Sequence, residues 1–216
     1  MFYPPNSGKF HLSKLPLAPS TFERFKTWLP ASSMSPARQQ EFVAGRFCAV
    51  EAAKEMAVEL TSLPRGPKRE PLWPDNLVGS ISHTKEFAVA WVDLKIETLS
   101  LGIDLEARIS QERYQELIHQ VANQRESELI HSNADPQLAF TMMFSAKEAF
   151  FKALYPLCHK YIGFHEVEWK GADGNRWEIY LNSSQSEIKS LNGTYRGEWQ
   201  VSESLVLTMI RLTHKD

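Results

Sequence analysis

The sequence predicts an α+β fold in two parts, each a set of helices with a sheet of several strands. Three observations carry this expectation. Apolar residues recur at helical spacing over 36–60, 112–131 and 136–154. Strand-like runs lie at 87–92 and 99–106 in the first part, then at 164–170, 177–181, 197–202 and 204–212 in the second. Between these last segments, Gly171-Ala172-Asp173-Gly174-Asn175 and Asn192-Gly193 supply turns, so the C-terminal part reads as largely antiparallel sheet. The join falls at the strand carrying Gly102 to Glu106, and no internal repeat is evident.

The 216 residues, 43% hydrophobic and 11% aromatic, suffice for a substantial core. Twenty-four Lys and Arg against 26 Asp and Glu leave a formal net charge of −2, so nothing global favours nucleic acid or an anionic membrane, and any anion site must be local. No apolar run approaches the roughly 20 residues of a membrane span. The start of the chain lacks a basic segment followed by an apolar one. Cys48 and Cys158 lie far apart in apolar helical patterns without metal-ligand spacing, and the expectation is two buried free thiols in a reducing cytoplasm.

Residues 1–36 are rich in Pro, Ser and Phe and read as mostly irregular, with Lys9, His11, Lys14, Arg24 and Lys26 giving a local positive bias. Ser35 is placed to cap a helix whose first residue is Pro36. Phe42, Ala49, Ala53, Met56 and Leu60 form its buried face, and Gly45-Arg46 interrupts good helix formers, which suggests close approach of another group. Four prolines between Pro64 and Pro74 forbid regular structure there, leaving a stiff loop with Arg65, Lys68 and Arg69. It reads either as a solvated turn or as cations held towards an anion.

Gly79-Ser80-Ile81-Ser82-His83-Thr84 leads into the strand at 87–92, with which the strand at 99–106 is expected to pair. Alternation along that second strand puts Ile103 and Leu105 on one face, and Asp104 and Glu106 on the other. Adjacent carboxylates repel, so the pair is either a solvated strand end or the oxygen side of a Mg²⁺ site. One helix is expected over 112–131, with Tyr114, Leu117, Ile118, Val121, Leu129 and Ile130 in the core. The last helix, from Pro136 to Leu154 and stopping near Pro156, places Ser145, Glu148 and Lys152 along one side and Phe144, Phe151 and Leu154 on a buriable one. Taken alone, Glu148 and Lys152 are equally a surface ion pair.

Taken in order, Gly45-Arg46, Arg69-Glu70-Pro71-Leu72-Trp73-Pro74, Gly79 to Thr84, Gly102-Ile103-Asp104-Leu105-Glu106, and Phe144 to Ala153 form a set. This set resembles the 4′-phosphopantetheinyl transferases, in the branch of enterobactin-synthetase component D and the surfactin-type enzymes. The resemblance runs from about Arg38 to Trp169.

The resemblance implies a monomeric pseudo-dimer of two similar α+β halves, divided as 1–103 and 104–216, with coenzyme A in the cleft. It implies transfer of 4′-phosphopantetheine from coenzyme A to a serine of an apo acyl or peptidyl carrier protein, releasing adenosine 3′,5′-bisphosphate. Asp104, Glu106 and Glu148 match the acidic triad that holds Mg²⁺. Glu148 is the candidate base, directly or through water. Lys152 would serve the leaving phosphate, His83 the pyrophosphate, and Ser82, Arg46 and Arg69 the 3′-phosphate and adenosine end, with Lys147 a further contact. The carrier's pathway, whether siderophore, polyketide or fatty acid, is open, and Arg108, Arg113 and Arg125 are a candidate docking surface. A binding module without catalysis and a Mg²⁺-dependent phosphodiesterase are the competing readings.

Overall fold

In the computed structural model, residues 2–31 and 33–214 are described. The chain forms two compact units, one of residues 3–105 with the C-terminal stretch from Arg211, the other of residues 106–210. The class is α+β, as the sequence patterns require.

The first unit is built on a three-stranded antiparallel sheet, with β1 (Lys9–Lys14) and β2 (Leu77–His83) flanking β3 (Phe87–Leu94). β3 is central because its Phe-Ala-Val-Ala-Trp-Val run has no polar residue to present to water on either face, and Ala88 to Asp93 are all buried. Helix α1 (Pro19–Phe25) precedes α2 (Pro36–Lys54), which lies on the sheet through Val43, Ala44, Cys48, Ala49 and Ala52. Ser35 caps α2 by accepting from the Arg38 amide, with Pro36 next to it. Two glycines are there for close packing. A Cβ at Gly45 would lie 2.7 Å from Ile81, and one at Gly79 would lie 2.5 Å from the Trp73 ring.

Three expectations for this unit fail. Residues 1–36 are not mostly irregular, since Lys9–Lys14 adds a strand by pairing with β3 from Lys9↔Val92 to Lys14↔Phe87. Helix α2 stops at Lys54 rather than Leu60, and Ala57 takes a left-handed φ of 57°. The strand β4 (Ser100–Ala107) does not pair with β3, whose two edges are already taken by β1 and β2.

The second unit sets α3 (Gln111–Val121), α4 (Gln124–His131) and α5 (Pro136–Cys158) with β5 (Val167–Asp173), β6 (Arg176–Leu181), β7 (Gly193–Ser202) and β8 (Leu205–Leu212). The strands β5 to β8 run as an antiparallel meander in sequence order. The expected single helix over 112–131 is two, because Ala122 is extended and Asn123 opens α4 with a capping box to Glu126. Helix α5 passes Pro156 and ends at Cys158, where His159 takes a left-handed φ of 53°. So near a helix end, a proline interrupts few backbone bonds. Its buried face is Phe140, Met143, Phe150 and Leu154, while Phe144 and Phe151 are only half-buried. Both cysteines are free thiols, but Cys158, unlike Cys48, is only partly buried.

Candidate functional site

In the first unit, cationic and hydroxyl side chains gather where α2, β2, β4 and the proline loop meet. Arg46 is 6% exposed, its guanidinium carbon 3.7 Å from the centre of the Phe42 ring one helical turn earlier. Its Nε donates to the Leu63 carbonyl at 3.4 Å, yet one terminal nitrogen is buried with no hydrogen-bond partner among the described residues. Burial first, then the nearby charges of Arg38 and Arg65, holds its pKa down to about 10. A buried nitrogen of this kind, beside two like charges, is costly unless an anion answers it.

His83 closes the same side of α2. Arg38 Nη1 donates to His83 Nε2 at 2.5 Å and to Glu41 Oε2 at 2.8 Å, while His83 Nδ1 faces Glu41 Oε2 at 3.8 Å. An arginine only donates, so Nε2 accepts and the ring carries its proton on Nδ1. Arg38 and Glu41 are absent from the set the sequence predicts. The helical spacing of Arg38, Phe42 and Arg46, i to i+4 to i+8, is the signal that could have found the first of them.

Ser82 is 5% exposed, and its Oγ donates to Asp104 Oδ1 at 2.9 Å. Ser80 acts on the same strand, accepting from the Ile103 amide at 3.0 Å. The hydroxyls of this motif thus fix β4 and its buried carboxylate, a role the sequence did not suggest. Asp104 is buried, so it does not lie on a strand end running into solvent. Glu106, two residues on, shares its face of β4 and is half-buried. Arg69 sits exposed in a tight turn with a left-handed φ of 74°, the Gly66 amide donating to the Glu70 carbonyl and the Arg65 and Pro71 backbones bridging.

In the second unit, α5 carries the other predicted residues. Ser145 is fully buried and shares a 2.8 Å hydrogen bond with Thr208. Glu148 and Lys152 follow at one-turn spacings, both half-buried. Glu148 lines a pocket of about 260 Å³ with Phe150, Phe151, Tyr161, Ile162 and Phe164.

Lys147 is corrected as a ligand contact. Its side chain is 1% exposed and pairs with Glu126 at 2.7 Å, and it also donates to the carbonyls of Val121 and Phe164 at 2.9 and 3.0 Å. All three ammonium hydrogens are therefore used inside the unit. Burial pushes its pKa down, and Glu126 draws it back.

Among the described residues, no three His, Cys, Asp or Glu side chains are grouped as a metal cluster. The expected triad of Asp104, Glu106 and Glu148 is therefore not seen as one group, although Mg²⁺ needs only one or two carboxylates together with water and substrate phosphates. Asp104 and Glu106 supply such a pair of hard oxygen donors on one strand face, and the unanswered nitrogen of Arg46 fits a phosphate.

The sequence matches two family descriptions, the 4′-phosphopantetheinyl transferase N-terminal domain over residues 29–93 and the 4′-phosphopantetheinyl transferase superfamily over residues 100–208. The chain belongs to the 4′-phosphopantetheinyl transferase superfamily. Among its relatives, enterobactin synthase component D of Salmonella typhimurium is 32% identical over 85% of this chain and 77% of its own length. That of Escherichia coli is 31% identical over 88% of each, and the 4′-phosphopantetheinyl transferase PptT of Mycobacterium tuberculosis 31% over 81% and 79%. A solved holo-[acyl-carrier-protein] synthase of Thermotoga maritima aligns at 16% identity with a TM-score of 0.38, over 52% of this chain and 62% of that one, too distant to bear on the site.

Proposed function

We propose that this chain transfers the 4′-phosphopantetheine moiety of coenzyme A to a serine of an apo acyl or peptidyl carrier protein. The observation that carries the reading is the buried guanidinium nitrogen of Arg46 with no hydrogen-bond partner among the described residues, set near the cations Arg38 and Arg65. A 3′-phosphate answers that need, because the planar guanidinium binds phosphate oxygens in pairs. Arg69, exposed on its turn, adds charge for the same end of the ligand.

In this reading residues 1–103 serve the adenosine end, while 104–216 serve the chemistry and the carrier. His83, its proton fixed on Nδ1 and its edge held by Arg38, addresses the pyrophosphate. The serine Oγ forms a bond to the β-phosphorus, and the bond from that phosphorus to the bridging oxygen breaks, releasing adenosine 3′,5′-bisphosphate. Glu148, directly or through a water molecule, accepts the serine proton, and Lys152 neutralises the leaving phosphate. Asp104, Glu106 and Glu148 are the residues that would hold Mg²⁺, which when bound screens charge on the pyrophosphate oxygens. The pocket beside Glu148 has apolar walls suited to the methylene and amide arm of coenzyme A.

The relatives named for enterobactin synthesis make a siderophore carrier the first to try. Arg108 and Arg125, ion-paired with Asp135 at 2.6 Å and Glu168 at 3.5 Å, would with Arg113 lie on the docking side. No described helix is long and apolar enough to cross a membrane. The test is mass spectrometry of apo carriers after incubation with coenzyme A and Mg²⁺. Labelling by the wild type, lost in folded Asp104→Ala and Glu148→Ala, is expected. Full activity of both variants would sink the reading, and release of adenosine bisphosphate without any carrier would point to a phosphodiesterase instead.

A further inference from the structure

The buried pair Lys147–Glu126 is not needed to satisfy solvent or ligand, and it lies next to Glu148 in the chain. Glu126 is fully buried and capped on both oxygens. Oε2 accepts from the Asn123 amide at 2.7 Å, and Oε1 accepts from the Trp169 amide at 2.5 Å. Lys147 gives its remaining hydrogens to Val121 O and Phe164 O. One ion pair therefore ties the end of α3, the start of α4, the middle of α5, the 3-10 turn Phe164–Glu166 and the start of β5.

Two of these ties bracket one short segment. Phe164 O is held by Lys147 and Trp169 N by Glu126, so the residues between are fixed from both ends. That segment is a wall of the pocket that contains Glu148, contributing Phe164 and Val167 beside Gly163. The wall has a second anchor of its own, because the Glu166 carboxylate accepts from the Gly163 amide and from Ser183 Oγ.

We propose that Lys147 and Glu126 are positioning residues that set the distance between the Glu148 side of α5 and the 163–167 wall, and so define the pocket in which coenzyme A is held during transfer. Stability alone does not require the pair. A buried ion pair must offset the desolvation of two charges, and well-packed apolar residues of like volume do as well or better for folding. What the pair provides and apolar packing does not is direction, since a hydrogen bond between an ammonium and a carbonyl fixes where that carbonyl sits. Apolar isosteres would leave the wall free to shift by fractions of an ångström.

The inference rests on the transferase reading for its kinetic consequence, but not for its structural one. The test uses the double variant Lys147→Met with Glu126→Gln, which removes both charges at nearly constant volume and leaves neither buried alone. Hydrogen exchange of the 163–169 amides is measured alongside kcat and the KM for coenzyme A, well below the melting temperature. The expected result is a folded protein in which these amides exchange at least about tenfold faster and KM rises roughly tenfold to a hundredfold, with kcat falling less. A purely structural pair would change the melting temperature and leave KM at its wild-type value. Should the double variant not fold, Glu126→Asp replaces it, since it keeps both charges while drawing the carboxylate back by one methylene from the Trp169 amide, and the same two readouts apply.

Wild-type exchange or wild-type KM in a folded variant overturns the proposal. If the wild type itself does not turn over coenzyme A, that failure belongs to the transferase reading, and the exchange rates alone decide whether the pair positions the wall.

Discussion

Arg46 and Lys147 are both buried cations inside the stretches that mark this family, and they differ in what answers them. Lys147 has its counter-charge built in, a carboxylate 2.7 Å away and two backbone carbonyls besides. Arg46 has one long bond to the Leu63 carbonyl, an aromatic face and other arginines. The first arrangement is complete without a ligand. The second has a buried donor left over, a cost that the anion proposed to bind there would offset. Being charged and in a motif therefore does not separate a ligand residue from a structural one; the state of its hydrogen bonds does.

Four experiments break or sharpen this contrast. The largest effect is expected from Lys147→Met alone, which strands Glu126 in the interior and should lower stability by about 3–5 kcal/mol in urea melts, most of it regained on adding Glu126→Gln. No loss would mean the pair is not the closed unit described. Arg46→Met should do the reverse, leaving the melting temperature of the free protein level or raised while calorimetry shows coenzyme A affinity weakened by about 2–4 kcal/mol. If it unfolds the protein as Lys147→Met does and leaves binding intact, the contrast collapses.

Asp104 is the intermediate case, a buried anion answered by the Ser82 hydroxyl. Ser82→Ala is expected to cost about 1.5–3 kcal/mol in transferase kcat, with the KM for coenzyme A little changed. A change confined to KM would instead favour the direct ligand contact expected of Ser82 from the sequence.

The smallest effect concerns Cys48, two residues beyond Arg46 on α2. Burial raises its thiol pKa to about 12, the same cause that lowers Arg46, since each neutral form is favoured by desolvation. A disulfide reagent at pH 8 should leave it unmodified until the protein unfolds. Because the folded pKa lies above the unfolded value of 9.0, the folded state holds the extra proton between those values. The stabilisation is whole below pH 9 and fades as pH rises towards 12. Fast native-state labelling would show that this part of α2 is wetter than described and would weaken the argument at Arg46.

Much of the frame was legible beforehand. The Ser35 cap, the buried strand at 87–92, the four C-terminal strands and the paired carboxylates of β4 rest on signals that span a few residues. The capping box Asn123-Gln124-Arg125-Glu126 was present too and would have split the helix expected at 112–131. Strand β1 was hidden because its Lys-Phe-His-Leu-Ser-Lys run is weakly apolar, and only the edge of β3 gives it a partner.

By itself the sequence determined the α+β class, most elements and the motifs that mark the family, since propensity, alternation and capping act between near neighbours. Only the tertiary structure decided what each polar residue does. Glu126 meets Lys147 across 21 positions and Ser82 meets Asp104 across 22, whereas one nitrogen of Arg46 finds no hydrogen-bond partner among the described residues. Whether a buried charge is answered depends on chain segments brought together by folding, and no local pattern encodes it.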